Sequence, residues 1–117
     1  LVNITSGAAT SAYAGWAAYC GSKAAVDQIT RVVVEEEIDT GLRAYAVAPG
    51  IVDTGMQEAI RATPEERFPA VERFRGFARE GAFNSPAWVA DHILGLLVDP
   101  PTDLGLVVLR VPDQPRG

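Results

Sequence analysis

Three short runs of apolar and β-branched residues, at positions 1–5, 42–47 and 106–111, lie far apart in the chain, and a helical pattern fills each gap between them. No other feature narrows the fold as much. Strands joined by a tight turn pair antiparallel, whereas strands joined by long helical crossovers pair parallel. The expected class is α/β, with a parallel three-stranded sheet and flanking helices. Three strands are few for such a domain. Both faces and one edge would be short of cover, so the chain reads as part of a larger domain.

The connections can be followed in order. Positions 6–15 are rich in Ser, Gly, Ala and Thr and predict a loop. A helix is expected over 15–39, where Ala25, Ile29, Val32 and Val33 form a stripe at helical spacing, expected to face the sheet. Pro49-Gly50 ends the second strand. Positions 53–61 read as a loop entering a short helix. Thr63-Pro64-Glu65-Glu66 has the form of a capping box with Pro at the first helical position, and Pro69 interrupts the helix it would open. Val71, Phe74 and Phe77 predict a short amphipathic helix ending near Gly81. Ser85-Pro86 is a second N-cap, opening an apolar helix through Ile93, Leu94 and Leu97 that stops before Pro100-Pro101.

Composition excludes several functions. The net charge of −5 argues against nucleic acid and gives no attraction to an anionic membrane surface. No apolar stretch has the length of a bilayer span. Cys20 is the single cysteine, so an internal disulfide is impossible; its thiol reads as buried and unreactive. His92, a lone histidine without clustered carboxylates, does not make a metal site. The expected location is cytoplasmic.

The residues that carry chemistry are Ser6, in the loop after the first strand, and Tyr19 and Lys23 on the following helix. Tyr19 and Lys23 are four apart, so they share one face about one turn apart. Reduction of a ketone by hydride needs an acid to protonate the carbonyl oxygen. A phenol serves better when a nearby ammonium favours its phenolate form, and Lys23 can supply that charge. Ser6 can donate a hydrogen bond to the oxygen as negative charge builds there. Phe68, Phe74 and Phe77 form either the apolar wall of a substrate pocket or plain helix packing.

Asn3-Ile4-Thr5-Ser6-Gly7, Tyr19-Cys20-Gly21-Ser22-Lys23-Ala24-Ala25 and Val47-Ala48-Pro49-Gly50-Ile51-Val52-Asp53-Thr54 together resemble the short-chain dehydrogenase/reductase family. The three motifs agree with it in order, spacing and setting, and the resemblance runs over the whole chain. It implies a Rossmann-like doubly wound parallel sheet, of which this chain supplies the last three strands. Residues 1–117 are then the C-terminal catalytic half of a single domain. The cofactor-binding half, with its glycine-rich loop and the asparagine of the catalytic tetrad, is expected upstream.

The resemblance also implies roles. Tyr19 matches the acid/base. Lys23 matches the lysine that tunes it and binds the nicotinamide ribose. Ser6 matches the serine that holds the substrate oxygen. Pro49, Gly50, Ile51 and Thr54 match the segment lining the nicotinamide, where the Thr54 hydroxyl meets the carboxamide. Gly15-Trp16, Tyr19-Cys20 and residues 53–57 are most similar to the sepiapterin reductase and benzil reductase branch. Gly55 stands where that branch carries Asp, and Leu109 stands where sepiapterin reductases place a pteridine-binding Asp. The implied substrate is therefore a diketone or other small apolar carbonyl.

The expected function is an NAD(P)-dependent oxidoreductase that reduces a carbonyl or oxidises the matching alcohol. NADP(H) is favoured over NAD(H) because the branch uses it. The resemblance also implies that the complete protein is a homodimer, formed through the helix carrying Tyr19 and the helix before it. A second reading is non-enzymatic: an inactive truncated piece that acts only by association with another chain.

Overall fold

The computed structural model describes residues 1–116. The elements, in chain order, are β1 (Val2–Ile4), a 3₁₀ turn (Gly7–Ala9), α1 (Ala17–Glu36), β2 (Tyr45–Ala48), α2 (Gly55–Arg61), α3 (Val71–Glu80), α4 (Pro86–Val98) and β3 (Val108–Arg110). The sheet has the order β1-β2-β3, and both pairings are parallel. The expected α/β class and its crossovers are therefore observed.

β2 is the central strand, and all its residues are buried, as expected for a parallel strand covered on both faces. Strand alternation sends Tyr45 and Val47 to one face, where with Val111 they form a core completed by Val2 and Leu109 and by Trp88, Val89, Ile93 and Leu96 of α4. Asn3 and its register partner Ala46 point the other way, and Asn3 Nδ2 donates to Thr30 Oγ1 of α1 at 3.0 Å. The two long helices thus cover opposite faces. α4 starts where Ser85 and Pro86 predict, with Ser85 Oγ accepting the Trp88 N–H at 3.1 Å.

Two expectations are corrected. The stripe Ala25, Ile29 and Val32 does not face the sheet: Ala25 is exposed, and Ile29 and Val32 are 59% and 44% exposed. Val33 is half-buried, and Asp27 and Thr30 are buried instead. For Thr30 the reason is hydrogen bonding, whereas Asp27 is buried with its Oδ1 unpartnered among the described residues. Thr30 Oγ1 accepts from Asn3 and donates to Val26 O at 2.7 Å, so its burial leaves nothing unsatisfied. Periodicity ranks helix faces by apolarity and cannot recognise a polar side chain whose partner lies on a distant strand.

The capping box at Thr63 also fails. Thr63 Oγ1 donates back to Ala59 O at 2.8 Å, at the end of α2. The chain then turns through 64–70 without forming a helix, with the Arg67 and Phe68 N–H groups both on Pro64 O. Phe68 is drawn fully inward, and Pro69 cannot continue a helix.

Residues 53–81 hold a second core, separate from that of the sheet. Phe68, Val71 and Phe74 are buried against Tyr13, Trp16, Ile60, Ala70 and Phe77. The loop before α1 passes so close to the turn that a Cβ at Gly15 would collide with the Arg67 carbonyl oxygen, and Gly15 sits at φ +90°.

Candidate active site

The C-terminal ends of parallel strands are where α/β sheets bind ligands, because the chain there leaves the sheet in loops that diverge around a crevice. A cleft of about 890 Å³ opens at this end. Ser6 follows β1, and residues 49–54 follow β2. Tyr19, at the start of α1, completes the near wall. All of Ser6, Tyr19, Pro49, Gly50, Ile51 and Thr54 line the cleft, so it gathers residues that are far apart in sequence.

Ser6 is the N-cap of the 3₁₀ turn, and its Oγ accepts the Ala8 N–H at 3.1 Å. That bond fixes the oxygen and leaves the hydroxyl proton for another acceptor. Tyr19 is half-buried, its ring edge-on to Trp16 at 5.4 Å. Lys23 is placed one turn further along, as the spacing predicts. Its Nζ donates to Ile4 O at 3.1 Å and lies 5.8 Å from the Tyr19 ring centroid. Lys23 is not among the residues lining the cleft; it stands behind Tyr19, bridging α1 to the end of β1.

The segment after β2 is held open. Gly50 sits at φ +79°, the left-handed region that favours glycine. Thr54 is the N-cap residue of α2, but its side chain makes no capping hydrogen bond, so the hydroxyl is unspent at the cleft wall.

Part of the cleft wall beside Tyr19 is aromatic. Tyr13, Trp16, Phe74 and Phe77 line it. Phe68 lies behind them, stacked on Trp16 with centroids 4.3 Å apart and planes 5° from parallel. The phenylalanines thus serve both readings: Phe74 and Phe77 reach the cleft, and Phe68 is packing. Tyr13 and Trp16 were not expected in this wall. Their spacing with Tyr19, three residues apart each time, is the sequence signal that could have placed them there. Cys20, expected buried, is half-buried, and its Sγ donates to Ser11 O at 3.6 Å. Leu109 packs into the sheet core, away from the cleft.

The sequence profile of the short chain dehydrogenases matches residues 1–65. The chain belongs to the short-chain dehydrogenase family. Among the relatives of this dehydrogenase chain, the benzil reductase ((S)-benzoin forming) of Bacillus subtilis is 43% identical over 99 residues, 83% of this chain and 41% of that protein. The mouse sepiapterin reductase is 36% identical over 100 residues, 83% of this chain and 36% of that protein. A short chain dehydrogenase/reductase of Saccharomyces cerevisiae has the same fold, with a TM-score of 0.78 at 29% identity over 96% of this chain and 45% of that one. The chain spans less than half the length of these relatives.

The cleft suits the nicotinamide end of the cofactor that the family implies. It offers a backbone segment kept open by Gly50, a hydroxyl at Thr54 with no competing cap, and the half-buried Tyr19. Among the described residues no helix is long and apolar enough to cross a membrane.

Proposed function

We propose that this chain is the catalytic half of a carbonyl reductase that uses NADP(H) in preference to NAD(H), with the cofactor-binding half of the domain supplied by further sequence. The observation that carries this reading is the convergence of Ser6, Tyr19, residues 49–52 and Thr54 on one cleft at the C-terminal edge of a parallel sheet.

Residues 49–54 would hold a nicotinamide, which would supply the hydride to the carbonyl carbon. The chain's own residues do the rest. Ser6, its oxygen fixed by the Ala8 N–H, donates its proton in a hydrogen bond to the carbonyl oxygen. Tyr19 transfers its phenolic proton to that oxygen as the alcohol forms. The Lys23 ammonium, held by Ile4 O, keeps a positive charge 5.8 Å from the Tyr19 ring centroid as the proton leaves. In the reverse direction the phenolate removes the alcohol proton. Thr54, whose hydroxyl makes no capping bond, would hold the carboxamide.

The aromatic wall of Tyr13, Trp16, Phe74 and Phe77 suits a flat apolar carbonyl compound, and the naming of a relative as a benzil reductase agrees with that class. The outward apolar stripe of α1, with Ile29 and Val32 exposed, is the surface on which the complete protein would dimerise.

The test is an assay of the complete protein against aromatic diketones, small aliphatic ketones and a pteridine, each with NADPH and with NADH. Diketone reduction with NADPH is expected. Turnover of the pteridine alone would overturn the substrate assignment, and absence of any reduction would overturn the enzymatic one.

A further inference from the structure

Asn84 lies between α3 and α4 and is 4% exposed. A buried amide must satisfy two donors and an acceptor, and Asn84 spends all of them on the backbone. Its Nδ2 donates to Pro49 O at 2.9 Å and to Pro112 O at 3.4 Å. Its Oδ1 accepts the Gln114 N–H at 2.8 Å. Its own N–H donates to Ile51 O at 2.7 Å, within an isolated parallel bridge to Val52. Gln114 answers with its side chain, whose Oε1 accepts the Ser85 N–H at 2.8 Å.

One side chain therefore ties together the segment after β2, the segment after β3 and the start of α4. The bonds to Pro49 and Ile51 flank Gly50 on both sides. A Cβ at Gly50 would lie 2.6 Å from Asn84 Nδ2, so the glycine is required by the clamp as well as by its own dihedral. Thr54 follows three residues after Ile51, and its approach to the cleft is set by the path this clamp imposes.

We propose that Asn84 is a positioning residue that holds residues 49–54 in the shape that receives the nicotinamide, and that it couples this shape to the chain after β3. This rests on the reading of residues 49–54 as the nicotinamide-contacting segment. Asn84 borders the cleft, but its side-chain donors and acceptor are all spent on the backbone, so it acts through Pro49 and Ile51.

The test separates the two ends of the cofactor. Asn84→Asp keeps the size and the acceptor for Gln114 but replaces the donor facing Pro49 O and Pro112 O by an oxygen. Binding of NADPH and of adenosine bisphosphate, its half without nicotinamide, is measured by calorimetry on the complete protein and the variant. Loss of a buried donor predicts NADPH binding weakened by about tenfold, with the adenosine half bound within about twofold of the unaltered protein. Asn84→Ser, which retains a hydroxyl donor, recovers part of the loss and serves as the main comparison if the aspartate variant does not fold. NADPH affinity unchanged in a folded variant overturns the proposal, as do equal losses for both ligands, which mark a general structural defect. An unaltered protein that binds adenosine bisphosphate no more weakly than NADPH overturns instead the reading of residues 49–54, and the proposal with it.

Discussion

Lys23 Nζ donates to the Ile4 carbonyl oxygen at 3.1 Å, joining α1 to the end of β1 two residues before Ser6. The same ammonium is 5.8 Å from the Tyr19 ring centroid. One bond thus fixes the spacing between a strand end, a cation and a phenol. Lys23→Met should lower turnover and weaken cofactor binding together. It should also cost about 1 kcal/mol of stability for the lost bridge at an exposed site. Steady-state kinetics, cofactor titration and urea unfolding read the three effects. Normal cofactor binding with normal turnover would remove Lys23 from the site.

Tyr19→Phe should reduce carbonyl turnover by about a hundredfold or more while leaving cofactor affinity nearly intact. The hydroxyl is the proton source, and the ring remains to pack edge-on against Trp16. Retention of a tenth or more of the turnover would show that another group supplies the proton.

Phe68→Ala should destabilise the region around residues 53–81 by about 3–5 kcal/mol, because it empties the centre of a small core and unstacks Trp16. The sheet core, built from other residues, should be spared. Limited proteolysis should cut first between α2 and α3. A uniform loss of protection across the sheet would show that the two cores are one cooperative unit.

Residues 53–81 should behave as a lid. They join two sheet-bound elements, and their core packs on Tyr13 and Trp16 at the cleft wall, so a ligand seated there would tighten them. Amide exchange in α2 and α3 should slow when cofactor and a carbonyl inhibitor are added to the complete protein. Equal protection with and without ligands would assign these helices a static role.

Residues 1–117 expressed alone should show no carbonyl reduction and should self-associate. β1 is an edge strand with Leu1 and Ile4 about half exposed, and α1 turns Ile29 and Val32 outward. A monomer with a cooperative thermal transition and micromolar NADPH affinity would overturn the reading of the chain as half of a domain.

Local pattern determined much of this protein. Runs of β-branched residues separated by helical connections suffice for a parallel α/β sheet, since long crossovers allow no other common pairing. The spacing of Tyr19 and Lys23 places them on one helix face whatever surrounds them, and Ser85-Pro86 starts α4 by its own chemistry. Tertiary structure decided the rest. Which face of α1 turns inward depended on Asn3, twenty-seven residues from Thr30. The aromatic wall joins Tyr13 and Trp16 to residues beyond position 67, and the Asn84 clamp draws together segments near positions 50 and 113. Contacts of that range cannot be paired from local pattern: the spacing of Tyr13, Trp16 and Tyr19 marks one side of the wall and says nothing of its distant partners. Only the packed chain brings their hydrogen-bonding groups and rings within reach.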